Sequence, residues 1–142
     1  AAQLGIESVP DLDSLLPRCD FLTVHVPGGP ETRDMIGAAQ LAKLPKGARV
    51  INCARGGIYN EQALADALRS GHLAGAGLDH FEGEHLAADH PLAGMHNVVL
   101  TPHIGGATYD TEANHSKLIA DDVARILRGD KPVNCVNPEV LS

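Results

Sequence analysis

Aromatic side chains are scarce in this sequence, which has two Phe, two Tyr and no Trp among 142 residues. Proteins that bind nucleic acid by base stacking depend on such side chains, and the formal net charge of −7 would repel a phosphate backbone. No apolar run is long enough to span a bilayer, and no segment has the pattern of a signal peptide. We therefore expect a cytoplasmic protein that binds neither nucleic acid nor membrane.

Cysteine is also rare, and Cys19, Cys53 and Cys135 are an odd number without the spacing of a metal site. Each lies in or beside an apolar segment, so we expect free, buried thiols in a reducing compartment. A chain of this length with 44% hydrophobic residues can bury one core. The composition thus predicts one globular domain.

Strand-like and helix-like segments alternate along the chain. Short β-branched runs bounded by glycine, proline or polar residues predict strands, whereas i, i+3, i+4 apolar spacing with capping residues predicts helices. This alternation is typical of an α/β fold with a mostly parallel sheet flanked by helices. The predicted strands are 20–26, 48–53, 74–78 and 97–101, and the predicted helices are 11–16, 38–44, 61–70 and 109–128. Asn60 and Thr108 are the predicted caps of the last two helices, and Leu64, Ala67 and Leu68 are the predicted apolar face of the helix 61–70.

Polar residues follow each predicted strand, at the edge of a parallel sheet where ligands bind. They are His25-Val26-Pro27, Cys53-Ala54-Arg55, Asp79-His80 and Pro102-His103. Arg55 stands out because its planar guanidinium fits a carboxylate or phosphate. The alternative is that Arg55 bridges to a nearby acid.

The chain resembles the D-isomer-specific 2-hydroxyacid dehydrogenases, the family that includes phosphoglycerate dehydrogenase. The resemblance rests on residues 20–27, 47–57, 71–79 and 101–106, with the Arg55-Gly56-Gly57 and Pro102-His103-Ile104-Gly105 motifs as its most specific parts. It implies a partial Rossmann-type fold, the cofactor NAD, and hydride transfer between NAD(H) and a small 2-hydroxy or 2-oxo acid.

The resemblance implies three catalytic residues. Arg55 matches the arginine that binds the substrate carboxylate and polarises the 2-oxo group, His103 matches the general acid/base, and Glu84 matches the acid that partners the histidine. Imidazole suits a proton transfer at neutral pH. Glu82 is the rival acid. The alternatives are a His103 that only ends a strand and a Glu84 that is a solvated loop residue.

The resemblance also implies a cofactor-binding set. Asp79 matches an aspartate that hydrogen-bonds the nicotinamide amide, although it could instead be a turn residue, and the segment after the first strand would pass the adenosine side through backbone contacts. The full set is His25, Val26, Pro27, Cys53, Ala54, Arg55, Asp79, His103, Gly105 and Gly106. No metal ligand is implied.

Two family features are absent from the sequence. Dinucleotide-binding sheets hold the pyrophosphate on a G-x-G-x-x-G turn and the ribose on an acid about twenty residues later. Residues 75–77 are the only G-x-G, and they continue a strand. Residues 1–108 therefore match the C-terminal half of a dinucleotide-binding domain without its glycine-rich first βαβ unit. Residues 109–142 match the long helix and tail that lead back toward an absent substrate domain.

The missing half has consequences for activity and association. We expect the isolated chain to be inactive without the N-terminal half of the same protein. The strand that begins at Asp20 would have an open edge and an uncovered apolar face, so we expect a homodimer. Two alternatives are a non-catalytic scaffold and a metal-binding loop built from His80, Glu82, Glu84, His85, Asp89, His90 and His96.

Overall fold

The computed structural model describes residues 2–83 and 86–141. It contains four strands and four α-helices that alternate as the sequence predicts, together with short 3-10 segments at Ala2–Leu4, Leu16–Arg18 and Pro138–Leu141. In chain order the main elements are α1 (Leu12–Leu15), β1 (Phe21–Val24), α2 (Ala38–Leu41), β2 (Arg49–Asn52), α3 (Glu61–Arg69), β3 (Gly75–Leu78), β4 (Val98–Leu100) and α4 (Tyr109–Leu127).

The four strands form one sheet in the order β1-β2-β3-β4, and every neighbouring pair is parallel. Val24 pairs with Asn52, and Asn52 pairs with Leu78, so the strand ends lie in register at one edge. The prediction of a parallel α/β sheet is confirmed. The chain forms two compact units, Ala1–Ile104 and Gly105–Ser142.

One face of the sheet carries the core of the first unit. Strand side chains alternate between faces, and the inward residues of β1, β2 and β3 are buried together with apolar residues of α2 and α3. Asn60 caps α3 by accepting a hydrogen bond from the Ala63 amide at 2.9 Å, as predicted. The inward face of α3 consists of Leu64, Ala65 and Leu68, whereas the predicted Ala67 is only half-buried.

The opposite face of the sheet remains open among the described residues. Phe21 on β1 is 64% exposed and Val99 on β4 is 67% exposed. The Arg49 guanidinium lies 5.7 Å from the centre of the Phe21 ring, which it partly shields. Because β1 is an edge strand of the sheet, its outer edge has no partner strand among the described residues. The prediction of an open edge and an uncovered apolar face is thus confirmed.

The second unit consists of α4 and the tail that follows it. Thr108 caps the helix through the Thr111 amide at 3.1 Å, as predicted. The Asp122 carboxylate accepts hydrogen bonds from the backbone amides of Val133 and Asn134, which hold the tail and lower the pKa of Asp122 below its usual value. No residue of α4 is buried within the described part of the chain, so its apolar side chains are solvent-exposed.

The cysteines differ in part from expectation. All three are free, as predicted, but Cys53 is exposed and the other two are only half-buried. Cys53 is exposed because it follows the last residue of β2, where the chain leaves the sheet. Within residues 2–83 and 86–141, no helix combines the length and the apolar character of a membrane span.

Candidate functional site

Arg55 lies in the turn that follows β2, at the carboxyl edge of the sheet. It lines a cavity of about 540 Å³ together with Cys53, Ala54 and the segment after β1, namely His25, Val26, Pro27 and Gly28. The sequence analysis assigned all of these except Gly28 to the cofactor set. A Cβ at Gly28 would lie 3.1 Å from Cβ and Cγ of Arg55, so glycine leaves room for the arginine stem.

Asn52 holds the turn that carries Arg55. Its buried side chain accepts a hydrogen bond from the Ala54 amide at 3.0 Å and donates through Nδ2 to the Arg55 carbonyl at 2.8 Å. The same Nδ2 reaches the His80 carbonyl at 3.3 Å. The sequence analysis did not identify this role, although an amide at an inward position of a buried strand was a signal for it.

Asp79 positions His103. The Oδ1 atom of Asp79 accepts a hydrogen bond from the Thr101 hydroxyl and another from the Ile104 amide at 2.9 Å. The His103 amide donates to the Asp79 carbonyl at 3.0 Å. His103 has a φ of +54°, a left-handed conformation that a side chain adopts only when its surroundings fix it. Asp79 is buried, and its backbone and side chain hold the residues on either side of the His103 turn. The contact of Asp79 with nicotinamide stays a prediction.

His80, like Asn52, was not among the catalytic residues predicted from the sequence. Its buried ring lies against His103, with a distance of 3.8 Å between ring centres. Because Asn52 binds the backbone carbonyls of both Arg55 and His80, contacts run without a break from the Arg55 turn to His103. The structure therefore links the predicted arginine and the predicted histidine through Asn52 and His80.

Glu84 is the predicted acid partner of His103. Glu84 is one of the residues that the structure does not describe. The rival Glu82 is exposed, and its Oε1 accepts a hydrogen bond from Arg33 Nη2 at 2.6 Å. Gly105 and Gly106 of the predicted cofactor set lie in the second unit and are exposed. The assignment of the acid to Glu84 therefore stays a prediction.

Gly56 allows the Arg55 turn to pack directly on the next loop. A Cβ at this position would lie 2.3 Å from the Phe81 carbonyl oxygen and 2.9 Å from the Glu82 nitrogen, distances that real Cβ atoms do not adopt. The backbone at Gly56 thus lies against the peptide that joins Phe81 to Glu82. This contact connects the arginine turn with the segment that carries both candidate acids.

The metal-loop alternative receives no support from the residues that can be placed. In the described part of the chain, no group of three His, Cys, Asp or Glu side chains could hold a metal ion. His90 pairs with Glu61 at 2.8 Å, and Glu82 pairs with Arg33. Glu84 and His85 of the proposed loop lie outside the described residues.

A parallel sheet with a cation, an aspartate and two histidines at its carboxyl edge defines a Rossmann-like nucleotide-binding class of protein. Comparison with known proteins is more specific. Residues 1–105 match the family model of the D-isomer specific 2-hydroxyacid dehydrogenase NAD-binding domain. The chain belongs to the D-isomer specific 2-hydroxyacid dehydrogenase family.

Individual relatives agree with this assignment. The chain is 47% identical to glyoxylate/hydroxypyruvate reductase B of Cronobacter sakazakii. The alignment covers 92% of this chain and 40% of that protein. It is 42% identical to D-3-phosphoglycerate dehydrogenase of Methanocaldococcus jannaschii over 96% of its own length, and covers 26% of that protein.

A solved structure shows the same fold. The NAD complex of a D-isomer specific 2-hydroxyacid dehydrogenase from Lactobacillus delbrueckii ssp. bulgaricus superposes with a TM-score of 0.83 at 37% identity. The alignment covers 91% of this chain and 43% of that one. The chain therefore spans less than half the length of each of these three relatives.

Proposed function

We propose that this chain forms the catalytic edge of a dehydrogenase that transfers a hydride between NAD(H) and a small 2-hydroxy or 2-oxo acid. The observation that carries the proposal is the unbroken set of contacts between the Arg55 turn and His103 through Asn52 and His80. Hydride transfer to a 2-oxo acid needs a cation for the carboxylate and a proton donor for the oxygen on C2. Arg55 and His103 meet these two needs at one edge of the sheet.

The roles of the residues follow from their chemistry. Arg55 binds the substrate carboxylate through two parallel N–H groups and draws electron density from the neighbouring 2-oxo group. His103 donates its proton to the oxygen on C2 during reduction and accepts it during oxidation. Glu84 holds the imidazole in the tautomer that this transfer requires. When bound, the cofactor would supply the hydride that reduces C2 and would itself be oxidised to NAD.

The cavity beside Arg55 suits one part of the cofactor. Its volume of about 540 Å³ lies in the range of small-molecule sites, and its walls are residues 25–28 and 53–55, which follow two neighbouring strands. Residues 25–28 would hold the adenosine side, and Cys53 and Ala54 would line the path toward Arg55. The pyrophosphate turn is not among the 142 residues, so this chain supplies only part of a dinucleotide site.

The remaining part of the site would come from a preceding segment of the same protein. We propose that this segment supplies the glycine-rich turn and the substrate domain, and that the chain is inactive without it. Residues 109–142 would lead toward that domain. A phosphoglycerate dehydrogenase-like substrate and a glyoxylate-type substrate are both compatible with the relatives. Reduction of glyoxylate with NADH deuterated at the transferred position tests the proposal, with deuterium expected at C2 of the product.

We also propose that the isolated chain forms a homodimer through its open sheet face and the edge of β1. Phe21 and Val99 leave apolar surface in water there, and an unpaired strand edge favours pairing. Size-exclusion chromatography with light scattering at tens of micromolar should give twice the monomer mass of 14.9 kDa. Phe21→Lys should shift the equilibrium toward monomer. A stable wild-type monomer at this concentration would contradict the proposal.

A further inference from the structure

Glu61, the first residue of α3, contacts two points that lie far from it in sequence. Its Oε1 accepts a hydrogen bond from the Glu82 amide at 2.7 Å, and its Oε2 lies 2.8 Å from Nε2 of His90. The side chains of Glu61 and His90 are only 13% and 11% exposed. One nearly buried carboxylate thus holds both ends of the segment between Glu82 and His90.

The hydrogen-bond pattern fixes the orientation of the His90 ring. Nδ1 accepts a hydrogen bond from the Leu92 amide at 3.2 Å, so the ring hydrogen lies on Nε2 and is donated to Glu61. A hydrogen bond to a carboxylate is stronger than one between neutral groups. Leu92 and Phe81 are both buried, and the centre of the Phe81 ring lies 6.2 Å from the centre of the imidazole.

Two further contacts lie next to this pair. Arg69, in the last turn of α3, donates to the Pro91 carbonyl at 2.6 Å. The Phe81–Glu82 peptide packs against Gly56, beside the Arg55 turn. The first residue of α3 therefore contacts both Glu82 and His90, and the last residue of α3 contacts Pro91, beside His90. That connection carries Glu84 in its sequence.

We propose that Glu61 and His90 act as a clasp, a pair of positioning residues that fixes the ends of the segment carrying the catalytic acid relative to the Arg55 turn. The proposal deepens the proposed function, on which the role of Glu84 rests. Neither residue lines the cavity beside Arg55. Their effect passes through the Glu82 amide on one side and through His90 and Leu92 on the other.

Amide hydrogen exchange in the isolated chain tests the clasp without any need for turnover. Glu61→Ala removes both acceptor oxygens, so exchange of the Glu82 amide should become about 10- to 100-fold faster. Glu61→Gln keeps one oxygen and should recover at least half of the lost protection. His90→Phe retains an aromatic ring and should speed exchange at Leu92 while Glu82 stays protected by Glu61. Gln62→Ala, at the next position of α3, should leave both amides unchanged.

A complete enzyme provides the catalytic measurement. Glu61→Ala should lower kcat for glyoxylate reduction by about tenfold while KM for NADH stays within about twofold, and Glu61→Gln should restore part of kcat. Unchanged Glu82 exchange in Glu61→Ala, or unchanged kcat alongside faster exchange, would overturn the clasp. Faster exchange with no turnover even in the wild-type enzyme would instead contradict the proposed function and leave the clasp in place.

Discussion

Arg55→Lys is expected to lower kcat/KM for reduction of a 2-oxo acid by about 100- to 1000-fold in the enzyme that contains this chain. Lysine keeps the charge but loses the planar pair of N–H donors that binds a carboxylate and polarises the neighbouring carbonyl. Because that polarisation grows as charge develops on the oxygen, kcat should fall as well as the apparent substrate affinity. Steady-state kinetics with glyoxylate and NADH measure both quantities.

Arg18→Lys is the matched control. Arg18 is also exposed, but it precedes β1 at the opposite edge of the sheet and pairs with Glu7. An exposed ion pair contributes little, so kcat/KM should change by no more than about twofold. Equal losses in the two variants, or full activity of Arg55→Lys, would show that Arg55 does not bind the substrate carboxylate.

Gly56→Ala is expected to destabilise the fold by about 3 kcal/mol, a large effect for one methyl group. The added Cβ would lie 2.3 Å from the Phe81 carbonyl oxygen, which is backbone and cannot rotate away as a side chain could. Relief of the clash requires the Arg55 turn or the Phe81–Glu82 peptide to move. Urea denaturation followed by circular dichroism measures the change in the free energy of unfolding.

Gly29→Ala is the control for this substitution. It lies in the turn after β1, and a Cβ there meets no atom within 4 Å. Its effect on stability should stay within about 0.5 kcal/mol. If Gly56→Ala were as stable as Gly29→Ala, the Arg55 turn would not pack on Phe81 as described. Arg55 would then not be held in a fixed geometry relative to the Phe81–Glu82 peptide.

The strand ends could be predicted from sequence because they follow from local rules. Short β-branched runs bounded by glycine mark β2, and the parallel order then places Arg55 and His103 at one edge whatever the details of packing. The same rules predict α3 through its Asn60 cap. The open edge and face of β1 follow instead from the absent first βαβ unit, which the family resemblance implies.

The contacts that connect these ends could not be predicted in the same way. Asn52 binds the His80 carbonyl across 28 positions, and Glu61 meets His90 across 29. Strand periodicity predicts that Asn52 points inward, but the carbonyls it reaches depend on how β3 leaves the sheet. Local sequence also gave no reason to pair Glu61 with His90, because both are ordinary surface residues until α3 packs beside the loop.

The choice between the two acids shows a further limit of sequence reasoning. Glu82 and Glu84 are two positions apart, and composition does not distinguish them. The structure places the Glu82 side chain on Arg33, where it links the acid segment to the loop after β1. Both side chains of this pair are exposed, so the contact does not decide between the two acids, and the assignment of Glu84 stays a prediction.

Hydride transfer itself is the most direct test of the whole account. The chain is combined with the segment that we propose to precede it, and glyoxylate is reduced with NADH that carries deuterium at the transferred position. We predict deuterium at C2 of the product when both parts are present, transfer slowed by about 100- to 1000-fold in Arg55→Lys, and none when the preceding segment is left out. A folded mixture that neither changes NADH fluorescence nor transfers deuterium would contradict the account.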